Sequence, residues 1–172
     1  MRGTGVLTTM AACLALVAAA QPAAADAWSD EVLAQHNTAR ARCGARPLTW
    51  NVALYASTLE HAQSCQFRHS TAAGKYGENL FVSTAPTASI RKAVAAWMDE
   101  ASKYDYGNPT FSGETGHFTQ LVWKSTTQVT AAIAACPAGT ILPIPTTYVV
   151  ARYTPPGNYL GQFPQNVGRP VT

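Results

Sequence analysis

Apolar residues recur at helical spacing in two stretches of the chain. Between residues 51 and 64 they follow one another at steps of three and four, on one face of a predicted helix: Val52, Tyr55, Leu59 and Ala62. After Ser89 the same steps return at Ile90, Val94, Trp97 and Ala101, while Lys92, Asp99 and Lys103 are expected to face solvent. The pattern therefore predicts two amphipathic helices, each with a buried stripe.

Capping and turn residues predict two further helices. Ser29 precedes two acidic residues, which suit the positive end of a helix dipole, so we expect a first helix to begin there. The same helix is expected to end near Cys43-Gly44, where glycine can terminate it. Residues 116–124 predict a short helix, and the stretch 107–113 before it, which contains glycine and proline, predicts a loop.

Two later stretches have the composition of β-strands. Residues 128–134 and 147–153 are short and rich in Val, Thr and Tyr, which favour strands. A segment with three prolines separates them and is expected to be a loop. We find no internal repeat, charge run or low-complexity linker after the N-terminal segment, so the sequence predicts one domain with its helices first and its strands last.

The first 25 residues have the features of a secretory signal peptide. Arg2 is followed by an apolar run from Val6 to Ala20 and then by small residues, which predicts cleavage after Ala25 or, alternatively, after Ala27. The apolar run is shorter than the ~20 residues of a membrane-spanning helix, and no other segment could span a bilayer. The alternative interpretation of this segment is an N-terminal membrane anchor.

The net charge of the chain argues against a nucleic-acid partner. The remaining chain, residues 26–172, is long enough for a domain with its own core. Without Arg2 the sequence holds 11 basic and 9 acidic residues, a net charge near +2, and no basic cluster. A balance this small is not typical of nucleic-acid binding.

The cysteines are odd in number once the signal peptide is removed. Cys13 leaves with that segment, while Cys43, Cys65 and Cys136 remain. At least one thiol must then be free or bonded to another molecule. No close Cys-x-x-Cys pair exists, so metal binding through these thiols is the weaker interpretation.

Two sequence blocks resemble the signatures of a known family. Gly-His-Phe-Thr-Gln-Leu-Val-Trp-Lys at 116–124 and Tyr-Val-Val-Ala-Arg-Tyr-Thr-Pro-Pro-Gly-Asn-Tyr at 148–159 resemble those of the CAP superfamily of cysteine-rich secretory, antigen-five and pathogenesis-related proteins. Shorter blocks match in order and spacing at residues 36–40, 47–50, 67–70 and 76–80. The resemblance covers almost all of the chain after residue 28. It implies an α+β fold, a three-layer α-β-α sandwich, in a secreted, extracellular protein.

The resemblance also bears on the cysteines. Relatives commonly carry cysteines where this chain has Ala131 and Ala151, so the usual partners of Cys65 and Cys136 are both missing. This suggests Cys65 and Cys136 as a replacement pair, which requires their Cα atoms to lie within about 7 Å.

The family's central tetrad falls on His69, Glu78, Glu100 and His117. Two imidazoles and two carboxylates are ligands that zinc or another divalent cation accepts, although no cofactor is required by the prediction. Glu100 follows Trp97 by three positions, at the margin of the buried stripe, where a carboxylate needs a partner. The alternative is that these groups only hydrogen-bond across the layers. His36 and Arg40, one turn apart on the first helix, are interpreted as packing residues.

A stretch of 13 residues, 104–116, carries three aromatic residues among glycine and proline: Tyr104, Tyr106 and Phe111. It resembles the loop that carries sterol binding in secreted yeast members of the family, except that Glu114 stands at the final aromatic position. Exposed rings on such a loop can cover the apolar face of a sterol. The alternative is that the rings fold back on the domain.

Two hypotheses for the function follow. The first is a secreted, non-enzymatic protein that binds a sterol or another small lipid, or a cell-surface protein partner. The second is a secreted hydrolase of the protease type that uses His69, Glu78 and His117, with Ser83 or Thr84 as an imagined nucleophile. The His-Glu-x-x-His pattern of zinc proteases and the Gly-x-Ser-x-Gly elbow of serine hydrolases are both absent from the sequence.

Overall fold

The computed structural model describes the backbone of residues 23–171 and the side chains from residue 27 onward. The predicted signal peptide, residues 1–25, lies almost entirely outside the described residues and stays a prediction. In the described part of the chain, no helix combines the length and the apolar character needed to cross a membrane.

Helices and strands are interspersed along these residues. Their order is α1 (Ala23–Arg42), β1 (Thr49–Trp50), α2 (Val52–Gln63), β2 (Gly77–Ser83), α3 (Ile90–Asp99), α4 (Gly116–Leu121), β3 (Gln128–Cys136), β4 (Thr146–Thr154) and α5 (Phe163–Asn166). A turn of 3-10 helix, Glu100–Lys103, continues α3. Because β1 and β2 precede α3, the predicted order of helices first and strands last was correct only for β3 and β4.

The two amphipathic helices begin where the sequence predicts them. The Asn51 side chain accepts a hydrogen bond from the Leu54 amide at 3.2 Å and caps α2, and Ser89 caps α3 through the Lys92 amide at 3.4 Å. In α3 the predicted stripe is buried, except that Ala101 lies beyond the end of the helix. In α2 the placement of Val52 on the buried face was wrong, since Val52 is 61% exposed.

The first helix differs from the prediction at its start. We expected Ser29 to cap it, but α1 already begins at Ala23. Neither proline nor glycine interrupts residues 23–42, and alanine has the highest helix propensity of all residues, so the helix extends upstream of the expected cap. Its end agrees with the prediction, because Gly44 at φ +65° adopts the left-handed conformation that terminates helices.

Within residues 23–171 the strands form one four-stranded sheet in the order β1-β3-β4-β2. Strands β3 and β4 form a central antiparallel hairpin, β2 pairs antiparallel with β4, and the short β1 runs parallel to β3. Glu78, Arg152 and Thr130 stand opposite one another at the same level of the sheet. The loop of the β3–β4 hairpin lies at the other end, beyond Cys136 and Thr146.

The sheet is buried on both faces. Tyr148 and Val150 of β4 pack in a cluster with α2, whereas Val149, Ala151 and Tyr153 join a larger core with α1, α3 and α4. This alternation follows from the two-residue period of a strand. The result is the predicted three-layer α-β-α sandwich.

A disulfide joins two of the layers. Cys65, directly after α2, is bonded to Cys136 at the end of β3, which confirms the suggested pair. Cys43 is a free, buried thiol in the larger core on the opposite side of the sheet.

Candidate functional site

A cavity of about 200 Å³ lies at the β2 edge of the sheet. Its lining includes His69 from the segment after α2, Glu78 from β2 and His117 from α4. We refer to this cavity as the cleft. Glu100 is not part of the lining, but it contacts His117 from the turn of 3-10 helix. The four predicted tetrad residues are therefore arranged as two His–Glu pairs, both of which reach the cleft through a histidine.

The first pair fixes the start of α4. Nδ1 of His117 donates to Oε1 of Glu100 at 2.7 Å, while Oε2 of Glu100 accepts the main-chain amides of His117 and Phe118 at 3.1 and 3.0 Å. The carboxylate thus satisfies two amides that the helix leaves unpaired. The His117 ring also stacks on Trp97, with 6.3 Å between the ring centroids. Both contacts hold the imidazole in one orientation.

The second pair joins an exposed histidine to a buried carboxylate. Nδ1 of His69 donates to Oε1 of Glu78 at 3.1 Å; the His69 side chain is 63% exposed and that of Glu78 only 4%. Glu78 also accepts from the main-chain amide and hydroxyl of Ser70 and, at 2.9 Å, from Nε of Arg152. Burial alone raises the pKa of Glu78, but the hydrogen bonds from His69, Ser70 and Arg152 outweigh it and lower the pKa to about 2. Glu78 is therefore a stable anion that orients His69.

The two histidines present the same nitrogen to the cleft. In each, Nδ1 is held by a carboxylate, and within the described residues Nε2 has no hydrogen-bond partner. A carboxylate on one nitrogen and a metal on the other is the usual arrangement of a zinc-binding histidine. Among residues 27–171, however, no three His, Cys, Asp or Glu side chains converge closely enough to hold a metal ion. The described residues thus do not supply the three protein ligands of a catalytic zinc.

Two asparagines that the sequence did not single out shape the cleft. Asn79 donates to the main-chain oxygen of His117 at 2.9 Å, and Asn158 donates to that of Gly116 at 2.9 Å. Asn158 has φ +60°, a conformation that asparagine tolerates better than most residues, and Pro-Pro-Gly-Asn does signal a turn. That signal marks the turn, but its contact with α4, about 40 positions earlier, is visible only in the fold.

The aromatic loop, residues 104–116, divides into an anchored part and an exposed part. Tyr104 is 6% exposed and packs edge-on against Tyr106 at 4.8 Å between centroids, and Tyr106 is partly buried beneath the Arg169 guanidinium at 4.3 Å. Phe111 is 48% exposed and lines the cleft. Of the three rings named for lipid contact, two fold back on the domain and one faces solvent beside the histidines.

Comparison with known proteins agrees with this architecture. The sequence model of the cysteine-rich secretory protein family, CAP, matches residues 33–153. The chain belongs to this family. Pathogenesis-related protein 1A of Nicotiana tabacum is 40% identical to this CAP protein over 141 residues, which cover 78% of the chain and 79% of the relative.

Fungal proteins match this CAP protein over a smaller share of their own length. Protein PRY2 of Saccharomyces cerevisiae is 35% identical over 143 residues, 81% of this chain and 41% of that protein. Secreted protein RBT4 of Candida albicans is 39% identical over 144 residues, 80% of this chain and 37% of that protein. The chain therefore spans less than half of either fungal protein.

Solved structures share the fold. The Hookworm Platelet Inhibitor superposes with a TM-score of 0.66 at 21% identity, covering 84% of this chain and 78% of that one. MpPR-1i superposes with a TM-score of 0.62 at 18% identity, covering 78% and 91%. At these identities the likeness extends to the CAP fold alone.

Proposed function

We propose that this CAP protein is secreted and binds a sterol or another small apolar lipid on its aromatic loop, without catalysing a reaction. The Cys65–Cys136 disulfide supports export, because disulfides persist mainly in oxidising compartments. The signal-like start of the sequence and the similarity to Secreted protein RBT4 support it as well.

The observation that carries the lipid proposal is the exposure of Phe111 at the mouth of the cleft. A half-exposed phenylalanine is unfavourable in water, and covering it with an apolar ligand recovers hydrophobic free energy. Tyr104 and Tyr106 act from beneath, since their packing in the core anchors the chain on which Phe111 stands. The resemblance of residues 104–116 to the sterol-binding loop of yeast family members points to the same ligand.

The size of the cleft favours a lipid position outside it. Pockets that enclose drug-sized ligands measure about 300–1,000 Å³, whereas this cleft measures about 200 Å³. A sterol is therefore not enclosed in the cleft and is bound across the outer surface of the aromatic loop, with Phe111 as its main contact. We propose a separate role for His69 and His117, whose Nε2 atoms can hold a divalent ion loosely in the cleft.

A hydrolase receives less support from the geometry. Ser70 is the hydroxyl beside the His69–Glu78 pair, but it donates to Oε2 of Glu78 at 2.6 Å and not to a histidine. Ser83 ends β2, five positions after Glu78 and roughly 17 Å away at 3.3 Å per residue. Within the described residues neither hydroxyl donates to a histidine, the usual base that activates a serine nucleophile.

Sterol titrations of three variants test the proposal. Phe111→Ala removes about 1 kcal/mol of apolar contact from a half-exposed ring, so binding of a fluorescent sterol should weaken roughly fivefold. Ile144→Ala is the matched control, because Ile144 is 54% exposed but stands in the β3–β4 loop at the other end of the sheet. His69→Ala combined with His117→Ala should leave sterol affinity unchanged, as should a chelator.

The opposite pattern would overturn the assignment. If the folded double histidine variant lost sterol binding while Phe111→Ala retained it, the cleft would be the lipid site. If Phe111→Ala and Ile144→Ala lost the same sterol affinity, the binding would be nonspecific apolar adsorption. A wild-type protein that binds no sterol would refute the proposed ligand.

A further inference from the structure

A second cavity lies away from the cleft and shares no lining residue with it. It measures about 560 Å³, and three segments distant in sequence enclose it. The turn after α1 contributes Arg46, the turn after α4 contributes Lys124 to Thr127, and α5 contributes Gln165 and Asn166. We call it the Arg46–Lys124 pocket.

The lining of this pocket carries positive charge alone. Arg46 and Lys124 are both exposed, and no aspartate or glutamate is among the lining residues. In the described part of the chain, neither of the two cations takes part in a salt bridge. All three segments come from stretches of the sequence, residues 32–59 and 115–172, that contain no acidic residue. The two charges are therefore available to a ligand.

A buried arginine adds a third charge behind the wall. Arg40 is fully buried, and its guanidinium donates only to main-chain oxygens, those of Arg46, Leu121, Trp123 and Thr126, at 2.8 to 3.0 Å. Carbonyl partners solvate the guanidinium, but they do not neutralise its charge as a carboxylate would. The guanidinium thus places a further positive charge directly behind the walls formed by Arg46 and Thr126.

The same arginine makes the pocket rigid. By bonding Arg46 on one wall and Thr126 on the other, Arg40 fixes the distance between the two turns. The third wall is attached as well, since the Lys124 amide donates to the Asn166 main-chain oxygen and the Ser125 amide donates to the Asn166 side chain. Pre-organised walls lower the entropy cost of binding.

We propose that the Arg46–Lys124 pocket binds a phosphate group. Guanidinium and ammonium groups on a rigid frame are the donors that phosphate recognition uses most, and the exposed Gln165 amide adds a neutral donor. The phosphate can belong to a small soluble compound or to a lipid headgroup at a membrane surface. This site is independent of the sterol proposal, because it lies on other residues and recognises charge.

Binding of inorganic pyrophosphate, followed by amide chemical shifts in NMR, tests the site directly. We expect saturable shifts at Lys124, Ser125 and Thr127 that weaken as salt is added, since exposed charges are screened. Arg46→Gln combined with Lys124→Gln should lower the affinity at least about tenfold, because two charge-assisted hydrogen bonds are lost. Arg91→Gln combined with Lys92→Gln removes the same charge from an exposed part of α3 and should keep the wild-type affinity.

Sedimentation with vesicles identifies the source of the phosphate. Vesicles of phosphatidylcholine with phosphatidic acid are compared with vesicles of phosphatidylcholine alone. Binding to the vesicles with phosphatidic acid but not to pyrophosphate supports a lipid headgroup. Binding to pyrophosphate supports a soluble compound. Both conclusions require that Arg46→Gln/Lys124→Gln abolishes the binding. The proposal would be overturned if Arg91→Gln/Lys92→Gln lost the same affinity, if the chemical-shift changes mapped to other residues, or if neither probe bound. Sterol binding should be unaffected by Arg46→Gln/Lys124→Gln, so the two proposals fail independently.

Discussion

His36 is fully buried between α1 and the sheet, where burial favours the neutral imidazole. Nδ1 donates to the Val32 main-chain oxygen at 2.7 Å, and Nε2 accepts from the Tyr153 hydroxyl at 3.0 Å. Burial, opposed by the hydrogen bond to Val32 and aided by the nearby Arg40 charge, lowers the pKa of His36 to about 4. The fold therefore excludes a proton that the unfolded chain would bind below pH 6.5.

We expect this histidine to make the protein acid-sensitive. Because its folded pKa lies below the unfolded value of 6.5, its contribution is complete above pH 6.5 and is lost as the pH falls towards 4. The difference corresponds to about 3 kcal/mol, and Glu78 adds a second loss below pH 4.5. Urea unfolding at a series of pH values should show a flatter dependence between pH 6.5 and 4 for His36→Gln. A variant with the wild-type slope would contradict a neutral buried imidazole.

Residue identities in the cleft were predictable, whereas residue exposure was not. Motif matching alone marked His69 and His117, because both stand in short recognisable blocks. The sequence of the aromatic loop, however, gave no reason to expect different exposure for Tyr106 and Phe111. Their difference depends on Arg169, which covers the Tyr106 ring from a segment more than 60 positions later. Burial of a loop residue is decided by such distant contacts and not by its neighbours in sequence.

At the scale of elements, local signals decided what could be predicted. Helices α2 and α3 begin where the apolar period predicts them, because a helical period is contained in one short stretch, and the structure adds Asn51 and Ser89 as their caps. Strand β2 was missed. Its partner β4 lies about 70 positions later, and it opens with Gly77-Glu78-Asn79, residue types that are depleted in strands. Only the pairing with β4 makes this segment a strand.

The caps of α2 and α3 should differ in their contribution to stability. Asn51 caps α2 and also donates to Gln128 at 3.1 Å and Thr154 at 3.0 Å, so it connects the helix to both central strands. In the part of the chain that the structure describes, the Ser89 side chain makes only the capping bond to Lys92. Asn51→Ala should lower the free energy of unfolding by about 2 kcal/mol, and Ser89→Ala by about 1 kcal/mol or less. Urea unfolding measures both, and equal losses would show that the contacts of Asn51 with the strands add nothing.

At the scale of the whole molecule, the disulfide holds the α2 layer to the sheet. It joins residues 71 positions apart, and closing a loop of that length is expected to stabilise the fold by about 4 kcal/mol. Cys65→Ser combined with Cys136→Ser should therefore lower the unfolding free energy by that amount. A reducing agent should bring the wild type to the level of the variant and leave the variant unchanged. Cys43→Ala, which keeps the bridge, is the control for loss of a buried sulfur.

The layered architecture was predictable from the family resemblance, but the charge distribution of the molecule was not. The sequence contains no basic cluster, because Arg46 and Lys124 are 78 positions apart. They line one cavity only after α1 and α4 are joined through Arg40. A nearly balanced net charge thus hides a local excess of positive charge that only the folded chain displays.

The separation of Cys43 from the bridge determines which disulfide the folded protein can form. The three cysteines among the described residues can form three different pairs, yet in the folded domain Cys43 lies on the far side of the sheet from Cys65 and Cys136. Burial also raises the pKa of the Cys43 thiol, so the thiolate that would attack the bridge is scarce. Among these three cysteines, a chain that folds before it is oxidised can therefore form only the native bond, whereas a chain that pairs Cys43 while unfolded must exchange that bond before it can fold. The packing of the core thus selects the Cys65–Cys136 bond over the two pairs that contain Cys43.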